Sequence, residues 1–554
     1  MSYLKKNKKK YYIVLVLALI LGGLFIFKDT VEIFDEKIPK GTPIIDIVKF
    51  GAIADSNYYN QNDGNYYKDA DFQVLATDNT DVFQKALNHY KIIYIPNGNY
   101  LISGALQLKG DILEILGEDK LNTKLLFSAN RIKKANTNAK NETVIVNHGL
   151  SYGYNHKSSQ NITFKNLTME YNRDDNKKPK TLLLVGNLNG ALFDNIFLNV
   201  YNSSEIKDIQ ITNLDLYAAC KNVTIKNSTF INDTSGPAGG CIWVRNLTTQ
   251  KENLPENKTQ NISIENNEFF KNSEDEIIAV FSSRGDVENV TIKENKFTTH
   301  GVAAEINLAV YSAKDNNYGK VSSVLIENNL FDIHDFNAFI VKIGNAGNNM
   351  NPTSNVTIRN NTINVSSNSD SLRAKRVIYQ ADTISNEIYI ENNNLNYISQ
   401  HRNRIYGITC KSGYVLNNKI VGNFYTGIEY GEVKNNWISG SSVGIFNPTI
   451  AEGNTIDEAN TGIKLAYASQ HISNNDITLN KNDLNNNVGI EILSNAGNLS
   501  NMLFQGNTVY TFNNDTAYHF ANETIRFDDN TNKNIGEGKL IYLSNNTILL
   551  SMND

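Results

Sequence analysis

The most regular feature of the chain is a short repeated phrase in which apolar and polar residues alternate, two polar residues follow, and one apolar residue ends the phrase. Examples are NVTIKNSTF from Asn222, NISIENNEF from Asn261, NVTIKENKF from Asn289 and NVTIRNNTI from Asn355, and shorter forms continue to LFQGNTV from Leu503. Period-two alternation with many β-branched residues predicts strands, and the asparagine and glycine residues between them predict tight turns. The chain is therefore predicted to be all-β, with many short strands.

The copies of the phrase recur at spacings that fit the coils of a solenoid. Six central apolar positions lie 39, 28, 34, 32 and 32 residues apart: Ile225, Ile264, Ile292, Ile326, Ile358 and Ile390. Four later positions lie 18, 17 and 22 residues apart: Val415, Val433, Ile450 and Ile472. Coiling would place each strand about 4.8 Å from its equivalent in the next coil and bury these positions in one stack. The spacing predicts a parallel β-helix, because a propeller needs a steadier period and a sandwich needs hairpin turns.

Asparagine is abundant and is often doubled at the end of a strand. It tolerates the left-handed backbone conformation that suits a tight bend, and stacked asparagine side chains can hydrogen-bond from coil to coil as a ladder. Many asparagines also begin N-x-[ST] triplets, which are acceptors for glycosylation in secreted proteins. Their position at the start of strands favours a structural role over glycosylation.

The N-terminus predicts a membrane segment. Five lysines within the first ten residues precede residues 11–27, which carry no charge and would form about 25 Å of helix. The lysines favour the cytoplasmic side, so the chain after Lys28 should lie outside the cell or on its surface. A cleaved signal peptide is the alternative, although no A-x-A-like site follows the apolar segment. We predict a cytoplasmic tail and signal anchor in 1–28 and a linker in 29–44, which makes the protein a single-pass, membrane-anchored one.

A second set of motifs follows the linker. The chain reads FGAIAD from Phe50, TDNTDVFQKAL from Thr77 and IIYIPNGNYLI from Ile92. In order and residue type these motifs resemble the opening of the pectate-lyase-like superfamily, which includes rhamnogalacturonase-like and uronate-epimerase-like proteins. The departures are an insertion at 56–75 and Asp81, where the family often has an apolar or small residue.

The resemblance implies a right-handed parallel β-helix and, since polysaccharide enzymes of this fold work in a groove along one strand face, a glycan partner. Residues 45–126 would form the N-terminal cap and first coils, and 127–554 the main β-helix. The segment TDVFQKAL has helical spacing and would cover the open end of the solenoid. The chain lacks G-H-G with N-T-D, as in many polygalacturonase-like hydrolases, and R-x-P-x-x-R, as in the calcium pectate lyases. No catalytic residue is therefore carried over from the family.

Charge and cysteine content narrow the partners. Lysine and arginine number 52 against 57 acidic residues, and the five lysines of the first ten residues leave 47 against 57 for the rest. The net negative charge of the chain after its first ten residues argues against nucleic acid as a partner. It is compatible with a local basic groove. Cys220 and Cys241 are 21 residues apart and could pair, but burial as small apolar residues, with Cys410, is the favoured interpretation. No Cys/His spacing predicts a metal site, and no cofactor is predicted.

The candidate catalytic residues lie in runs that precede or form the strands expected along the groove. Glu274, Asp275 and Glu276 are adjacent carboxylates, so at least one should have a raised pKa and suit a general acid. A glycosidic bond needs two carboxylates for hydrolysis, and neighbouring coils offer Glu305 and Asp335 as the second. Histidines in the same predicted loop add acid–base candidates. The predicted catalytic set is Asp275, Glu276, Glu305, His334 and Asp335; a solvated acidic loop is the alternative.

Basic and aromatic residues extend the predicted groove. Arginine recognises carboxylates with two parallel hydrogen bonds, which makes a uronate-bearing polysaccharide one option for the substrate. A lyase also needs a base beside the carboxylate, and Lys342, His334 or Tyr311 could supply it. Ordinary solvated charge is the alternative. The predicted substrate-binding residues are Arg245, Arg284, His300, Tyr311, Lys342, Arg376, His401 and Arg404.

Together these features predict a membrane-anchored, extracellular polysaccharide-processing enzyme, either a glycoside hydrolase or a polysaccharide lyase. A uronate epimerase or another glycan-modifying enzyme that does not cut the chain is a second hypothesis. A non-catalytic surface protein that binds glycans, such as an adhesin, is a third.

Overall fold

The computed structural model of the chain describes residues 44–551 except for 61, 64, 105, 109–111, 129–141, 148–158, 174–178, 187, 203–211, 218, 234–238, 247–257, 272–274, 283–284, 311–318, 337, 346–350, 368–373, 400–403, 468–470, 483–486, 494–502, 513–514, 521–525, 529–530, 535–538 and 544–549. The predicted anchor at 11–27 lies outside these residues. Among the helices that the structure describes, none is long and apolar enough to cross a membrane.

The chain winds into a parallel β-helix in which each regular coil gives one strand to each of three long sheets. Over the described ranges, sheet 1 contains 18 strands: Ile44–Asp46, Ile92–Ile95, Glu114–Gly117, Ser159–Lys165, Leu188–Asp194, Lys221–Lys226, Thr259–Glu265, Val287–Lys293, Val321–Glu327, Thr353–Arg359, Asn386–Glu391, Tyr414–Leu416, Glu432–Lys434, Ile450–Glu452, His471–Ser473, Leu503–Gln505, Arg526–Asp528 and Leu550–Ser551.

Sheets 2 and 3 follow sheet 1 in every regular coil. In the part of the chain that the structure describes, sheet 2 contains 16 strands: Gly98–Ile102, Thr123–Ser128, Thr168–Arg173, Phe197–Asn202, Thr229–Asp233, Glu268–Lys271, Lys296–His300, Leu330–His334, Thr362–Ser366, Asn394–Ile398, Lys419–Gly422, Trp437–Ser439, Thr455–Ala459, Asp476–Leu479, Thr508–Thr511 and Thr531–Asn534. Sheet 3 likewise contains 16 described strands: Leu106–Leu108, Glu142–Asn147, Pro179–Val185, Thr212–Leu216, Ile242–Asn246, Ile278–Ser282, Ile306–Val310, Phe339–Ile343, Lys375–Gln380, Ile405–Thr409, Thr426–Glu429, Val443–Phe446, Thr461–Leu465, Val488–Ile492, Thr516–Phe520 and Lys539–Leu543.

The two asparagines of each doubled pair have different structural roles. The first of them, as in Asn266, Asn360 and Asn435, has a φ near +55° and makes the bend between sheets 1 and 2. The second is buried, and its Nδ2 donates to Oδ1 of the equivalent asparagine in the next coil at 2.8–3.1 Å. This asparagine ladder runs through Asn267, Asn295, Asn329, Asn361, Asn393, Asn418, Asn436, Asn454, Asn475 and Asn507. Both predicted uses of asparagine, the bend and the ladder, are therefore present.

The ladder also fixes the register of sheet 1. The predicted apolar positions are Cα partners in successive coils and are fully buried, as for Ile292 and Ile326. One predicted position is wrong. Ala451, not Ile450, pairs with Val433 and is fully buried, whereas Ile450 is only partly buried. The reason is that each stacked residue comes three positions before its ladder asparagine, which places the buried position of this coil three residues before Asn454.

Replacing Asn361 by leucine is expected to lower the free energy of unfolding by about 3 kcal/mol or more. The side chain of Asn361 donates to Ile326 O at 3.0 Å and accepts from the backbone N–H of Asn329 at 3.0 Å. Leucine would leave both buried groups without partners, and each costs about 1–3 kcal/mol. Denaturant unfolding measures the loss. The matched control is Asn360→Gly, which keeps the left-handed bend (φ +56°) and should change stability little; equal stability of the two variants would contradict the ladder.

The N-terminal cap contains the predicted helix, which spans Thr80–His89. Phe83, Ala86 and Leu87 are buried and belong to the main core, and the Phe83 ring meets Tyr100 edge to face with centroids 5.9 Å apart. The insertion at 56–75 forms a small antiparallel hairpin of Tyr58–Asn60 and Asn65–Tyr67. The repeated phrases carry no information about this hairpin, because it lies outside the solenoid.

The three cysteines are free and buried. Cys220 and Cys241 are fully buried within the main apolar core, as is Cys410. The favoured interpretation of the sequence, buried small apolar residues and no disulfide, is the arrangement in the structure.

Candidate functional site

The outer face of sheet 3 carries polar and aromatic side chains in rows that run along the axis of the β-helix. The central row consists of residues that are Cα partners in successive coils: Asp215, Trp243, Ala279, Asn307, Lys342, Tyr379, Thr409 and Glu429. A lateral row lies at the start of the same strands: Glu276, Ala304, Phe339, Arg376 and Tyr406. Glu276 precedes Ile278 by two residues, and Phe339 precedes Val341 by two residues. Because Ile278 and Val341 both pair with Ile306, Glu276 and Phe339 belong to the same row.

Glu276 is a carboxyl group on this face whose pKa is raised. It is half-buried, and its Oε1 accepts a hydrogen bond from Asn307 Nδ2 at 2.9 Å. Burial, followed by the hydrogen bond and charge of Asp275, raises the pKa of Glu276 to about 8. At neutral pH the side chain therefore keeps its proton in most molecules, which is the state that a general acid requires.

Asp275 supports Glu276 from the corner that precedes sheet 3. The Asp275 carboxylate accepts a hydrogen bond from the backbone N–H of Gly239, one coil earlier. From the interior, Lys271 Nζ donates to the carbonyl oxygen of Gly239 and, at 3.3 Å, to that of Glu276. Lys271 is almost completely buried, and burial lowers its pKa. Asp275 was predicted to be catalytic. In the structure its carboxylate is hydrogen-bonded to the backbone of the preceding coil, next to Glu276.

Glu305 was predicted to face the groove, and this prediction is wrong. Its side chain is fully buried inside the β-helix, where Oε1 accepts from Thr299 Oγ1 at 2.7 Å and burial raises its pKa to about 8. The cause is local geometry at the corner. Glu305 and Ile306 are both buried, as are Ile340 and Val341 at the equivalent positions, so simple alternation from the strand assigns the wrong side.

His300, His334 and Asp335 lie at the end of the sheet 2 strands and not on sheet 3. His300 and His334 are exposed register partners. His334 Nδ1 is 2.5 Å from Ser366 Oγ, and His300 Nε2 is 3.9 Å from Asp335 Oδ2. The sequence predicted one loop for these residues and Glu276. The structure instead separates them by a corner of the coil, so they are not part of the outer face of sheet 3.

Lys342 follows Asn307 in the central row. Burial lowers its pKa, and the charge of Glu276 opposes this effect, so the two side chains interact electrostatically. Lys342 Nζ also lies 5.9 Å from the centroid of the Phe339 ring. A lowered pKa brings a lysine closer to the neutral amine, the form that removes a proton. The role of Lys342 as a base stays a prediction.

Arg245 lies within an aromatic platform on the same face. Its guanidinium carbon is 4.9, 4.7 and 5.5 Å from the ring centroids of Tyr217, Trp243 and Phe281. Arg245 also forms a two-pronged ion pair with the fully buried Asp215, in which Nε–Oδ1 is 2.8 Å and Nη2 contacts Oδ2. The positive charge of Arg245 is thereby neutralised within the protein.

Arg376 lies in a second aromatic platform. Its guanidinium carbon is 4.9 Å from the Tyr379 centroid and 4.7 Å from the Tyr406 centroid, and the Tyr379 ring stacks on Phe339 at 4.8 Å. Arg376 Nε is 3.7 Å from Glu429 Oε2, beyond hydrogen-bond distance. That oxygen instead accepts a hydrogen bond from Thr409 Oγ1 at 2.8 Å.

Four further predicted substrate-binding residues stay predictions. Arg404 is exposed and precedes the strand Ile405–Thr409. Arg284, Tyr311 and His401 lie outside the described residues. Within the described ranges no group of three or more histidine, cysteine or acidic residues is arranged to hold a metal ion.

The chain is similar to several solved structures. The chain is similar to the Streptococcus pneumoniae surface protein and adhesin PfbA, with 16% identity over 75% of this chain and 98% of that one and a TM-score of 0.47. It is also similar to a family 28 exopolygalacturonase of Yersinia enterocolitica, with 14% identity, 76% and 77% coverage and a TM-score of 0.38. A third is the GH87 α-1,3-glucanase of Streptomyces thermodiastaticus, with 12% identity, 91% and 70% coverage and a TM-score of 0.36.

The chain has an all-β, parallel β-helix fold. Neither protein-family models nor a sequence comparison with curated proteins gives a match. At these identities the structural likenesses concern the fold of this β-helix alone.

Several residues of the β-helix site were missed in the sequence. They are partners of the predicted ones: Asp215, Trp243, Asn307, Tyr379, Tyr406 and Glu429. Each occupies an outward position of a sheet 3 strand, and these are the positions that alternate with buried residues such as Val244 and Leu308. The alternation of buried and outward residues therefore marks these positions as outward. Which of them are neighbours on the outer face follows only from the register between coils.

Proposed function

We propose that the chain is a polysaccharide-processing enzyme in which Glu276 is the general acid and Lys342 the general base. The observation that carries the proposal is the pair itself. On one face of sheet 3, a carboxyl group whose pKa is raised to about 8 interacts with a lysine whose pKa is lowered by burial. Opposed shifts of this kind are typical of acid–base pairs in active sites.

The aromatic residues on the same face support a glycan as the bound molecule. Aromatic rings pack against the apolar faces of sugar rings, and tyrosine adds a hydroxyl group for hydrogen bonding. Trp243 lies one coil before Glu276, and Phe281 lies in the same coil as Glu276. Phe339, Tyr379 and Tyr406 lie in later coils. The rings of a glycan lying along the axis would recur at about the coil spacing of 4.8 Å.

The pair fits proton abstraction next to a carboxylate better than hydrolysis. Lys342 would take the proton from C5 of a uronate, the C4–O4 bond would break as a C4–C5 double bond forms, and Glu276 would protonate the departing O4. Hydrolysis requires two carboxyl groups that flank the scissile bond. Asp275 is instead bound to Gly239 and Glu305 points into the core. Epimerisation uses the same first step and returns the proton to the opposite face of C5 without breaking C4–O4.

The experiment is incubation with a panel of uronate-containing and neutral polysaccharides, with three readouts. Elimination produces an unsaturated uronate that absorbs ultraviolet light, hydrolysis produces reducing ends without that absorbance, and epimerisation in heavy water incorporates deuterium at C5. Ultraviolet-absorbing product or deuterium from a uronate glycan, and from no neutral one, is expected. Reducing ends alone would overturn the assignment of Lys342 as the base. If none of the glycans gave a signal, the proposal that the chain is an enzyme would be overturned.

A non-catalytic glycan-binding protein is the second candidate, and the extent of the aromatic surface favours it. Beyond Glu276 and Lys342, aromatic side chains continue through Tyr425, Tyr430 and Phe446, several coils from the acid–base pair. Retention of a glycan by the wild-type protein without any change in the glycan would support this function.

We also propose that residues 11–27 anchor the β-helix in a membrane, with the catalytic face outside the cell. The support is the sequence pattern of five lysines followed by seventeen uncharged residues. Deleting residues 1–28 is expected to move the protein from the membrane fraction to the soluble fraction without lowering its melting temperature, because the core lies in the later coils. A truncated chain that stays in the membrane fraction would contradict the anchor.

A further inference from the structure

Two arginines on the outer face of sheet 3 have similar aromatic surroundings but different ionic ones. Arg245 forms a two-pronged ion pair with Asp215. Arg376 has no such partner: Glu429 is its only described ion-pair partner, at 3.7 Å, and the Nε group of Arg376 makes no hydrogen bond with a described residue. The difference matters because a carboxylate already occupies the Nε–Nη2 edge of Arg245, whereas Nε of Arg376 has no hydrogen-bond partner among the described residues.

The environment of Arg376 is suited to an incoming anion. The rings of Tyr379 and Tyr406 hold the guanidinium plane in place, so little side-chain entropy is lost when an anion binds. Lys411 Nζ lies 5.8 Å from the Tyr379 centroid and adds a second positive charge. Thr409 Oγ1 donates a hydrogen bond to Glu429 Oε2, the oxygen that lies 3.7 Å from Arg376 Nε. This hydrogen bond competes with Arg376 for that oxygen.

The position of Arg376 relative to Glu276 defines where such an anion would lie. Both residues belong to the lateral row, and Ala304 and Phe339 stand between them. Three coil spacings separate them, or about 14 Å at about 4.8 Å per coil. A glycan that lies along the axis therefore passes both residues, and the sugar at Arg376 is about three residues from the one at Glu276.

We propose that Arg376 is an anion-binding subsite that receives the carboxylate of an acidic sugar about three residues from the bond that is processed. The Arg245 platform, whose charge is neutralised, is by contrast a stacking surface for the apolar face of a sugar ring. The inference rests on the proposed function, since it takes Glu276 as the reaction centre. It adds the requirement that the substrate carries negative charge away from the reacting sugar.

The test measures binding by calorimetry in the Glu276→Gln background, so that no turnover occurs. The probes are a uronate hexasaccharide, the same hexasaccharide with its carboxyl groups reduced to alcohols, and a uronate disaccharide. Arg376→Gln is expected to weaken binding of the acidic hexasaccharide at least about tenfold. Affinity for the reduced hexasaccharide should change by less than about twofold, since it lacks the carboxylate that Arg376 binds. The disaccharide is too short to contact Glu276 and Arg376 together, so a loss of its affinity in Arg376→Gln would report binding at Arg376 alone.

Arg359→Gln, on sheet 1, is the charge-matched control and should leave all three affinities unchanged. Equal losses on the acidic and reduced hexasaccharides would show that Arg376 supports the fold or the aromatic platform and would overturn the subsite, as would no loss on either. The same experiments separate the subsite from the proposed function. If Arg376→Gln weakens binding but wild-type protein shows no turnover, the subsite is supported and the enzyme function is contradicted. If wild-type protein shows turnover but Arg376→Gln has no effect on binding, the enzyme function is supported and the subsite is contradicted.

Discussion

Replacing Glu276 by glutamine is expected to lower turnover at least about a hundredfold, in the range for losing general acid catalysis. The amide has nearly the same shape and can still accept the hydrogen bond that Asn307 Nδ2 donates at 2.9 Å, but it has no proton to deliver to a leaving oxygen. Removing a carboxyl group that burial makes costly to ionise should not destabilise the fold. Turnover is measured on the best glycan of the panel, and thermal melting shows that the variant is folded.

The control for Glu276→Gln is His471→Ala. His471 lies on sheet 1 in a late coil, in the strand His471–Ser473, and should tolerate the change. Full activity of Glu276→Gln would move the chemistry away from this corner of the β-helix. A loss of activity with a matching loss of melting temperature would indicate a structural role and not an acid.

Replacing Lys342 by arginine is the second change with a large expected effect. Arginine keeps the positive charge and the approximate length, but its guanidinium group stays protonated and cannot remove a proton. If Lys342 is the base, turnover should fall at least about a hundredfold, while glycan affinity should change by only a few fold. If Lys342 only attracts a carboxylate, arginine should preserve both.

The matched control is Lys464→Arg on the same face of sheet 3, where Lys464 pairs with Glu491 at 2.7 Å in a coil far from Glu276. This control should leave turnover unchanged. An active Lys342→Arg variant would contradict the proton-abstraction mechanism. Hydrolysis would then be the favoured reaction.

The pH dependence of turnover follows from the same two groups, with opposite signs. Glu276 must be protonated, so activity is expected to fall as the pH rises through about 8. Lys342 must be neutral, so activity is expected to fall as the pH drops below its lowered pKa. In Glu276→Gln the upper limb that belongs to Glu276 should be absent from the residual activity.

The repeated phrases contained enough information for the solenoid but not for every position in it. The doubled asparagines predicted both the bend and the ladder, because a residue that tolerates positive φ and stacks its amide is chemically distinctive. Ile450 was aligned with the core positions by its spacing from Val433. The structure places Ala451 there, because the buried amide of Asn454 fixes the register.

The site was predictable in part for a related reason. The crowded carboxylates at Asp275 and Glu276 indicated a raised pKa, and Glu276 has one. Glu305 was misplaced because the corner before sheet 3 has two consecutive buried positions, which breaks the alternation that strands normally follow. Asp215 was missed because its partner Arg245 is 30 residues later in the chain, and only the coil register brings them together.

The most direct test of the account is the titration of the Glu276 side chain in the folded protein without substrate. The carboxyl signal of wild-type protein is followed against pH by infrared or carbon-13 spectroscopy, and the signal of Glu276→Gln is subtracted. The subtraction isolates Glu276 from Glu305, whose pKa burial also raises to about 8. A midpoint near 8 is expected. A midpoint near the ordinary value of 4.5 would mean that Glu276 is ionised at neutral pH and would contradict its role as the acid.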